Sequence, residues 1–360
     1  MAAKKRGSDG GKVRLADLSP EELTDFVVSM GEKPYRGKQI ASWIFARGCS
    51  GFEEMSDISK ASRDKLAAVS TARSPVSLAE SETDGSDGSR RLLWRLEDGE
   101  LIESVVLDEG GHLTLCVSSQ IGCRMGCRFC RTGTLGLKRN LTQGEILGQV
   151  LGAVALVPPE DGKITNVVFM GMGEPLDNAD NVLRSLKIMT APQYLAIAGR
   201  HISLSTVGVV PRLEQIAARG GLKCGLTISL GAADDELRSS VMPCNRRWPL
   251  ARLKETLLAF PLPRGRRLTV AYVLLAGVND SPEHAWHLSK FLTGLKVKIN
   301  LIPFNPWPGA PYERPAPWAT AAFQDVLVDK YHTAQIRTTK GASVNAACGL
   351  LVASAKAGTA

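Results

Sequence analysis

Three cysteines crowd into a single short stretch, Ile121-Gly122-Cys123-Arg124-Met125-Gly126-Cys127-Arg128-Phe129-Cys130, at the spacing C-x3-C-x2-C. Thiolates this close on one loop can each bind a different iron of a [4Fe–4S] cube, since cysteine thiolate is the usual ligand of such clusters. The fourth iron would then lack a protein ligand. An open metal position suits substrate chemistry, whereas structural zinc sites are closed by four ligands. Two other readings stay open on spacing alone: zinc with Cys116 as a fourth ligand, or three unligated thiols. Clustering of so scarce a residue favours a metal site, with the iron–sulfur cluster ahead of zinc.

The same loop is basic. Arg124, Arg128, Arg131, Lys138 and Arg139 fall between Gly122 and Gly144, where no acidic residue occurs. They read either as a solvated loop or as phosphate contacts. A net charge of +8 and a pI near 9.1 suit a polyanionic partner through counterion release, although charge balance alone carries no specificity. No apolar run approaches the ~20 residues needed to cross a bilayer. The start, MAAKKRGSDGGKVRL, lacks the apolar core of a secretory signal and reads as a basic tail. A cytoplasmic chain with no membrane partner is expected. Its eight cysteines then read as metal ligands, catalytic thiols or core residues rather than structural disulfides.

The elements around this loop follow from periodicity and turn chemistry. Ser19-Pro20-Glu21-Glu22 can cap a helix through Phe26, and amphipathic stretches follow at Tyr35–Phe45 and Ser59–Val69. A polar passage, Glu80–Ser89, marks a boundary. Leu92–Leu96 and Leu101–Leu107 flank Asp98-Gly99, a hairpin signal. Strands are then expected at Leu113–Ser118, Ile164–Met170, Ile202–Thr206, Cys224–Leu230, Leu268–Leu275 and Val297–Pro303. Helices are expected around Gly144–Val157, Asn181–Met189, Arg212–Arg219, Leu250–Ala259, Glu283–Leu295 and Trp318–His332. Thr142 with Glu145 forms a capping box, and Pro211 suits a helix start. Crossovers of this length imply parallel strands with helices outside. The expected fold class is α/β, a partial (β/α)6 barrel with a small N-terminal helical domain and a β extension. Residues 1–15 read as a tail, 16–80 as the helical accessory domain, 90–350 as the barrel with its β extension, and 351–360 as a second tail. Loops at the strands' C-terminal ends would carry the chemistry.

With Phe129 before the last cysteine, C-x3-C-x-Phe-C resembles the radical S-adenosylmethionine (SAM) superfamily signature. Further stretches resemble the RlmN/Cfr family: Leu115–Gln120, Gly171-Met172-Gly173-Glu174-Pro175-Leu176, Leu204–Gly208, Val241-Met242-Pro243, Gly277–Asp280, Asn300–Tyr312 and Asn345-Ala346-Ala347-Cys348-Gly349. The resemblance runs from Gly31 to Gly349 and implies a methyltransferase acting on adenosine in 23S rRNA and in tRNA. It implies a [4Fe–4S] cluster on Cys123, Cys127 and Cys130 with one open iron site, which chelates SAM. Two SAM molecules per turnover and a low-potential electron donor, such as flavodoxin or ferredoxin, are also implied.

Adenine C2 is an electron-poor carbon, so its direct displacement on a SAM methyl group is chemically poor. By resemblance, Cys348 is methylated by one SAM. A second SAM yields an adenosyl radical that takes hydrogen from the S-methyl group, and the carbon radical adds to the base. Cys116 matches a second catalytic cysteine that resolves the adduct through a transient disulfide. Glu103 matches a proposed proton acceptor, with Cys116 as its rival. Gly173, Glu174, Ser205, Ser229, Leu230, Gly231 and Asn305 match positions expected to bind SAM. Alone, a cysteine such as Cys348 is more often a small buried hydrophobe; Cys49, Cys224 and Cys244 are read that way. Because an RNA base must reach this mouth, some of the basic residues of the loop are expected to make phosphate contacts.

Some residues depart from the family pattern. Gly231 stands where histidine is usual, Leu350 where glutamine is usual, and Ala342-Ser343 where acidic residues are common. Gly136-Leu137-Lys138 leans toward a C8-methylating branch and Asn305–Tyr312 more strongly toward the C2 branch, so C2 is preferred. The alternatives are a C8-methylating Cfr-like enzyme and a non-catalytic zinc-bearing RNA-binding protein.

Overall fold

The protein is described by a computed structural model covering residues 11–352. Most of both expected tails, 1–10 and 353–360, lies outside the described residues. Residues 11–15 are not free: β1 (Val13–Arg14) pairs in parallel with β2 (Ser70–Thr71), and Leu15 is fully buried. Between these strands lie α1 (Pro20–Ser29), α2 (Tyr35–Phe45) and α3 (Lys60–Val69). The cap of α1 is the expected one: the Glu22 N–H donates to Ser19 Oγ at 3.2 Å, and the Ser19 N–H donates to Glu22 Oε2 at 2.8 Å. Such a cap contributes about 1 kcal/mol.

A ten-stranded sheet makes up the rest of the fold. Its antiparallel edge consists of β3 (Val76–Thr83), β4 (Arg90–Leu96), β5 (Leu101–Asp108) and β6 (Leu113–Cys116). The polar passage taken as a boundary is therefore half strand. Glu80 and Glu82 on β3 both pair with Arg91 on β4, which lets a charged sequence hold an edge strand. Gly99 turns the β4–β5 hairpin with φ +84°, as its Asp-Gly signal requires.

A second pair, β7 (Gln120–Cys123) with β8 (Gly136–Asn140), brackets the cysteine loop and the one-turn α4 (Arg131–Thr134). Then follow α5 (Gln143–Leu156), β9 (Ile164–Phe169), α6 (Ala179–Thr190), β10 (Ile202–Thr206), α7 (Val210–Ala218), β11 (Gly225–Ser229), α8 (Asp235–Val241) and α9 (Leu250–Ala259). The chain ends with β12 (Leu268–Leu274), α10 (Pro282–Leu292), β13 (Val297–Pro303), α11 (Pro317–Asp329) and β14 (Ala334–Ile336).

The parallel part runs β6-β9-β10-β11-β12-β13-β14. All six expected strands are present in the expected order. Several short elements escaped the sequence reading, among them β14, the β7–β8 pair, α8 and the paired strands β1 and β2. Each is too short for a hydrophobic period to develop. β12 is buried along its length except at Val273, whereas β13 alternates buried with more exposed residues; helices cover the sheet's outer face. No helix among the described residues is long and apolar enough to cross a membrane.

Candidate functional site

The cysteine loop is built by short-range hydrogen bonds. Gly122, with φ +72°, sits at a register shift in β7, and the Gly136 carbonyl occupies the space a Cβ would need. Beyond it the Cys130 N–H donates to the Cys127 carbonyl at 3.1 Å, and the Gly133 N–H to the Cys130 carbonyl at 2.9 Å. Cys123, Cys127 and Cys130 thereby line one cavity, as do Gly173, Glu174, Ser205, Ser229, Gly231, Asn305 and Cys348. Its empty space is about 1090 Å³, part of it open to solvent, and a small-molecule site needs roughly 300–1,000 Å³.

The donor set fits an iron–sulfur cube. Among the described residues no three His, Cys, Asp or Glu side chains converge on a single metal ion. Three thiolates that hold three different irons have no need to. Cys116 lines a different cavity, so these four thiols do not form a closed zinc site. Burial pushes the Cys123 thiol up to about 12 and raises those of Cys127 and Cys130 as well. Metal binding must displace those protons.

The strand ends supply the opposite wall. Gly173, with φ +100°, lies so close to Gln120 that an added Cβ would meet its backbone nitrogen at 2.8 Å. Glu174 is buried; burial raises its carboxyl to about 7, against the lowering effect of hydrogen bonds from Thr206 and the Val207 and Leu176 N–H groups. Ser205 Oγ and Ser229 Oγ are 3.2 Å apart. Leu230 does not line the cavity: its N–H donates to the Ala271 carbonyl, and its own carbonyl accepts from Arg238. Gly231 has φ +73°, and the Met242 sulfur fills the space of its missing side chain. The room an imidazole would take is thus already occupied.

Asn305 is committed to the C-terminal loop. Its Nδ2 donates to the Cys348 carbonyl at 3.1 Å, and its Oδ1 accepts from Arg314 at 3.0 Å and Thr339 at 2.9 Å. Arg131 donates its N–H to the Gly349 carbonyl at 2.8 Å, and Thr132 Oγ1 donates to the Leu351 carbonyl at 2.5 Å. Further back, Asp87 and Asp84 accept from the N–H groups of Gly341 and Ser343 at 2.7 and 3.0 Å. These two anchors, like Thr132, carry no motif by which sequence alone could single them out.

Cys348 lines a second cavity as well, together with Cys116, Met170, Asn305 and Leu351. Arg200, Arg266, Arg267, Lys298, Arg337 and Lys340 border this cavity, where Glu109 is the one acidic lining residue. The Cys348 side chain reaches solvent through the cavity space yet is enclosed by protein, which pushes its thiol up to about 11. Cys116 is pushed up to about 12, first by burial and then by Cys348. Glu103 lines neither cavity. It is 3% exposed; its Oε1 accepts from Arg91 at 2.7 Å and its Oε2 from the Val352 N–H at 3.0 Å.

The basic loop is less available than its sequence suggests. Arg124 pairs with Asp177 at 2.9 Å, Lys138 pairs with Glu100, and Arg139 pairs with Asp98 and Glu145. Among the described residues, only Arg128 and Arg131 of the five have no such ion pair.

Comparison with known proteins agrees with this layout. Residues 13–71 match the Ribosomal RNA large subunit methyltransferase N-terminal domain, and residues 117–288 match the Radical SAM superfamily. The chain is 42% identical over 340 residues to the dual-specificity RNA methyltransferase RlmN of Syntrophus aciditrophicus, covering 94% of this chain and 96% of that protein. It is 43% identical to the protein of the same name from Geobacter sulfurreducens, covering 94% and 92%. A crystal structure of a radical SAM methyltransferase from Sphaerobacter thermophilus superposes with a TM-score of 0.89 at 36% identity, covering 95% of this chain and all of that one.

Proposed function

The chain belongs to the RlmN family of radical SAM RNA methyltransferases, and from that premise we propose that it methylates adenine C2 in 23S rRNA and tRNA by way of a methylated Cys348. The observation that supports this most is that Cys348 lines both cavities, one walled by the three thiols and the other bordered by cations. Cations around the second cavity suit RNA phosphates.

Cys123, Cys127 and Cys130 would hold a [4Fe–4S] cluster, which when bound would supply the electron for reductive cleavage of SAM. Gly173, Glu174, Ser205, Ser229 and Gly231 frame the space for SAM, with Glu174 held in that wall by the Leu176 and Val207 N–H groups. Leu230 acts through its backbone hydrogen bonds, and Asn305 by holding Cys348. Cys348 takes a methyl group from a first SAM and gives up its thiol proton. After the radical from a second SAM removes a hydrogen atom, the sulfur-borne carbon bonds to the ring, and the adduct radical then gives up the ring proton and one electron, the electron returning to the iron–sulfur site. Cys116 then attacks the Cys348 sulfur, a disulfide forms, and the carbon–sulfur bond to the product breaks; an external two-electron reductant restores both thiols. For removal of the ring proton, geometry favours Cys116, which shares the second cavity with Cys348, over Glu103, whose two oxygens are both engaged.

The helical segment over residues 16–80 is proposed to grip RNA by shape, beside the barrel and β extension over 90–350. The electron donor is proposed to be a low-potential flavodoxin or ferredoxin, and the setting cytoplasmic. The decisive experiment is anaerobic reconstitution with iron, sulfide and SAM, incubation with 23S rRNA or tRNA, and mass spectrometry of the nucleosides. C2-methyladenosine is expected. C8-methyladenosine as the sole product would overturn the C2 assignment, and a colourless protein with stoichiometric zinc would overturn the enzyme.

A further inference from the structure

Arg238 is buried in the wall behind the thiol cavity and has no part in the reading above. It lies on α8, whose N-terminus is capped by Asp234 accepting from the Leu237 N–H at 2.8 Å. The side chain is only 1% exposed and heads the largest fully buried side chains of the protein. Its guanidinium donates to three acceptors: the Leu230 carbonyl at 2.8 Å, the Val207 carbonyl at 2.7 Å and Asn245 Oδ1 at 2.7 Å. Val207 and Leu230 directly follow β10 and β11, so one side chain ties together two strand ends that frame the cavity.

None of those three acceptors carries a charge. Among the described residues no carboxylate pairs with Arg238; Asp235 contributes only a longer-range attraction. A buried cation without a counter-ion is costly, and burial accordingly lowers the guanidinium from its ordinary value. The thiol cavity is close by. Val207, Gly231, Met242 and Cys127 line the same cavity. The cysteine loop is docked on the end of α8, where the Arg128 N–H donates to the Val241 carbonyl at 2.9 Å. Of the ionisable side chains, Cys244 and Cys127 are those whose ionised form would raise Arg238 most.

We infer that Arg238 is a positioning residue for the iron–sulfur site, whose fixed positive charge favours the one-electron-reduced cluster while its hydrogen bonds hold the strand ends. The physical reason is direct. Reduction adds one negative charge beside Cys127, and a nearby cation in a water-poor wall stabilises it far more than an exposed cation would. The step is one-electron transfer from a low-potential donor; no bond forms or breaks and no proton moves. A purely structural arginine would serve the carbonyls without altering the potential. The inference rests on Cys123, Cys127 and Cys130 being cluster ligands.

The test is a redox titration of the anaerobically reconstituted full chain with dithionite, followed by electron paramagnetic resonance in the absence of SAM. Arg238→Gln is expected to shift the midpoint potential to more negative values, and Arg238→Lys to retain most of the wild-type value. Asp235→Asn keeps an oxygen for its hydrogen bonds from Asn245 and the Leu250 N–H and is expected to shift the potential the opposite way. A loaded Arg238→Gln protein with the wild-type midpoint would overturn the inference. If the Arg238 variants fail to fold or to bind iron, an unchanged potential in Asp235→Asn overturns it. Absence of iron and sulfide from the wild-type protein would instead sink the cluster reading.

Discussion

The two loops that face each other across the thiol cavity are held in opposite ways. The cysteine loop is pinned by its own neighbourhood: the β7–β8 pair, a glycine with positive φ, and hydrogen bonds between residues three apart. The Cys348 loop has turns of its own, in which the N–H groups of Asn345, Ala346 and Leu350 donate to the Ala342, Gly341 and Ala347 carbonyls, but among the described residues no strand pair brackets it. It is hung from Asn305, Arg131, Thr132, Asp84, Asp87 and Glu103, which come from the cysteine loop, the end of β13 and the β extension. Asn345, with φ +54°, even adopts the left-handed conformation that few side chains favour. A metal site gains from a rigid, self-contained loop. In the proposed reaction Cys348 would meet SAM on one side and an RNA base on the other, a task for which anchors that can be released separately are suited.

The largest expected effect separates the two loops cleanly. Cys348→Ala should abolish RNA methylation while the purified protein keeps its iron and sulfide, whereas Cys127→Ala should lose the iron too. Full turnover by Cys348→Ala, measured by nucleoside mass spectrometry, would erase the distinction between a metal-binding loop and a methyl-carrying one.

A smaller effect belongs to the thiol side alone. Glu174 is raised to about 7 from an ordinary 4.5, chiefly by burial. The unfolded chain therefore loses this proton before the folded one does, and the group's contribution to stability falls as pH climbs from about 4.5 to 7. Thermal unfolding of the metal-free protein should show this decline, by about 3 kcal/mol at most. Glu174→Gln should remove that component. Parallel stability profiles for wild type and variant would contradict the assignment.

The smallest effect probes a bond that joins the two loops. Thr132→Val keeps the side-chain shape but leaves the buried Leu351 carbonyl without its donor, a loss of about 1–3 kcal/mol. The Cys348 loop should then open roughly tenfold more often. Hydrogen exchange over residues 341–352 should speed up and kcat should fall, with iron content unchanged. Exchange at the wild-type rate would mean that Thr132 does not anchor the loop.

Legibility from sequence followed the same division. The spacing of Cys123, Cys127 and Cys130, the capping boxes at Ser19 and Thr142, the Asp98-Gly99 hairpin and the six parallel strands are local or periodic features, and each could be read directly. The edge strand Val76–Thr83 could not, because its glutamates make sense only opposite Arg91. The ion pairs of the basic loop were hidden for a similar reason: the partners of Arg124, Lys138 and Arg139 include Asp177, Glu100 and Asp98, all outside the loop itself. Nor could the Met242 sulfur occupying the space beside Gly231 be seen before the chain was folded.

What sequence alone determined about this protein is the chemistry on offer: three thiols spaced for a cluster, a cysteine embedded in Asn345–Gly349, and a chain whose motifs fall in family order. Only the tertiary structure decided which groups meet. It set Cys348 on the wall between two cavities, bound Glu103 to Arg91 and Val352, and buried Arg238 against the ends of β10 and β11. The reason is physical. A motif is a short-range pattern, whereas burial, counter-charges and hydrogen-bond partners are fixed by chain segments far apart in sequence that the sheet brings within reach.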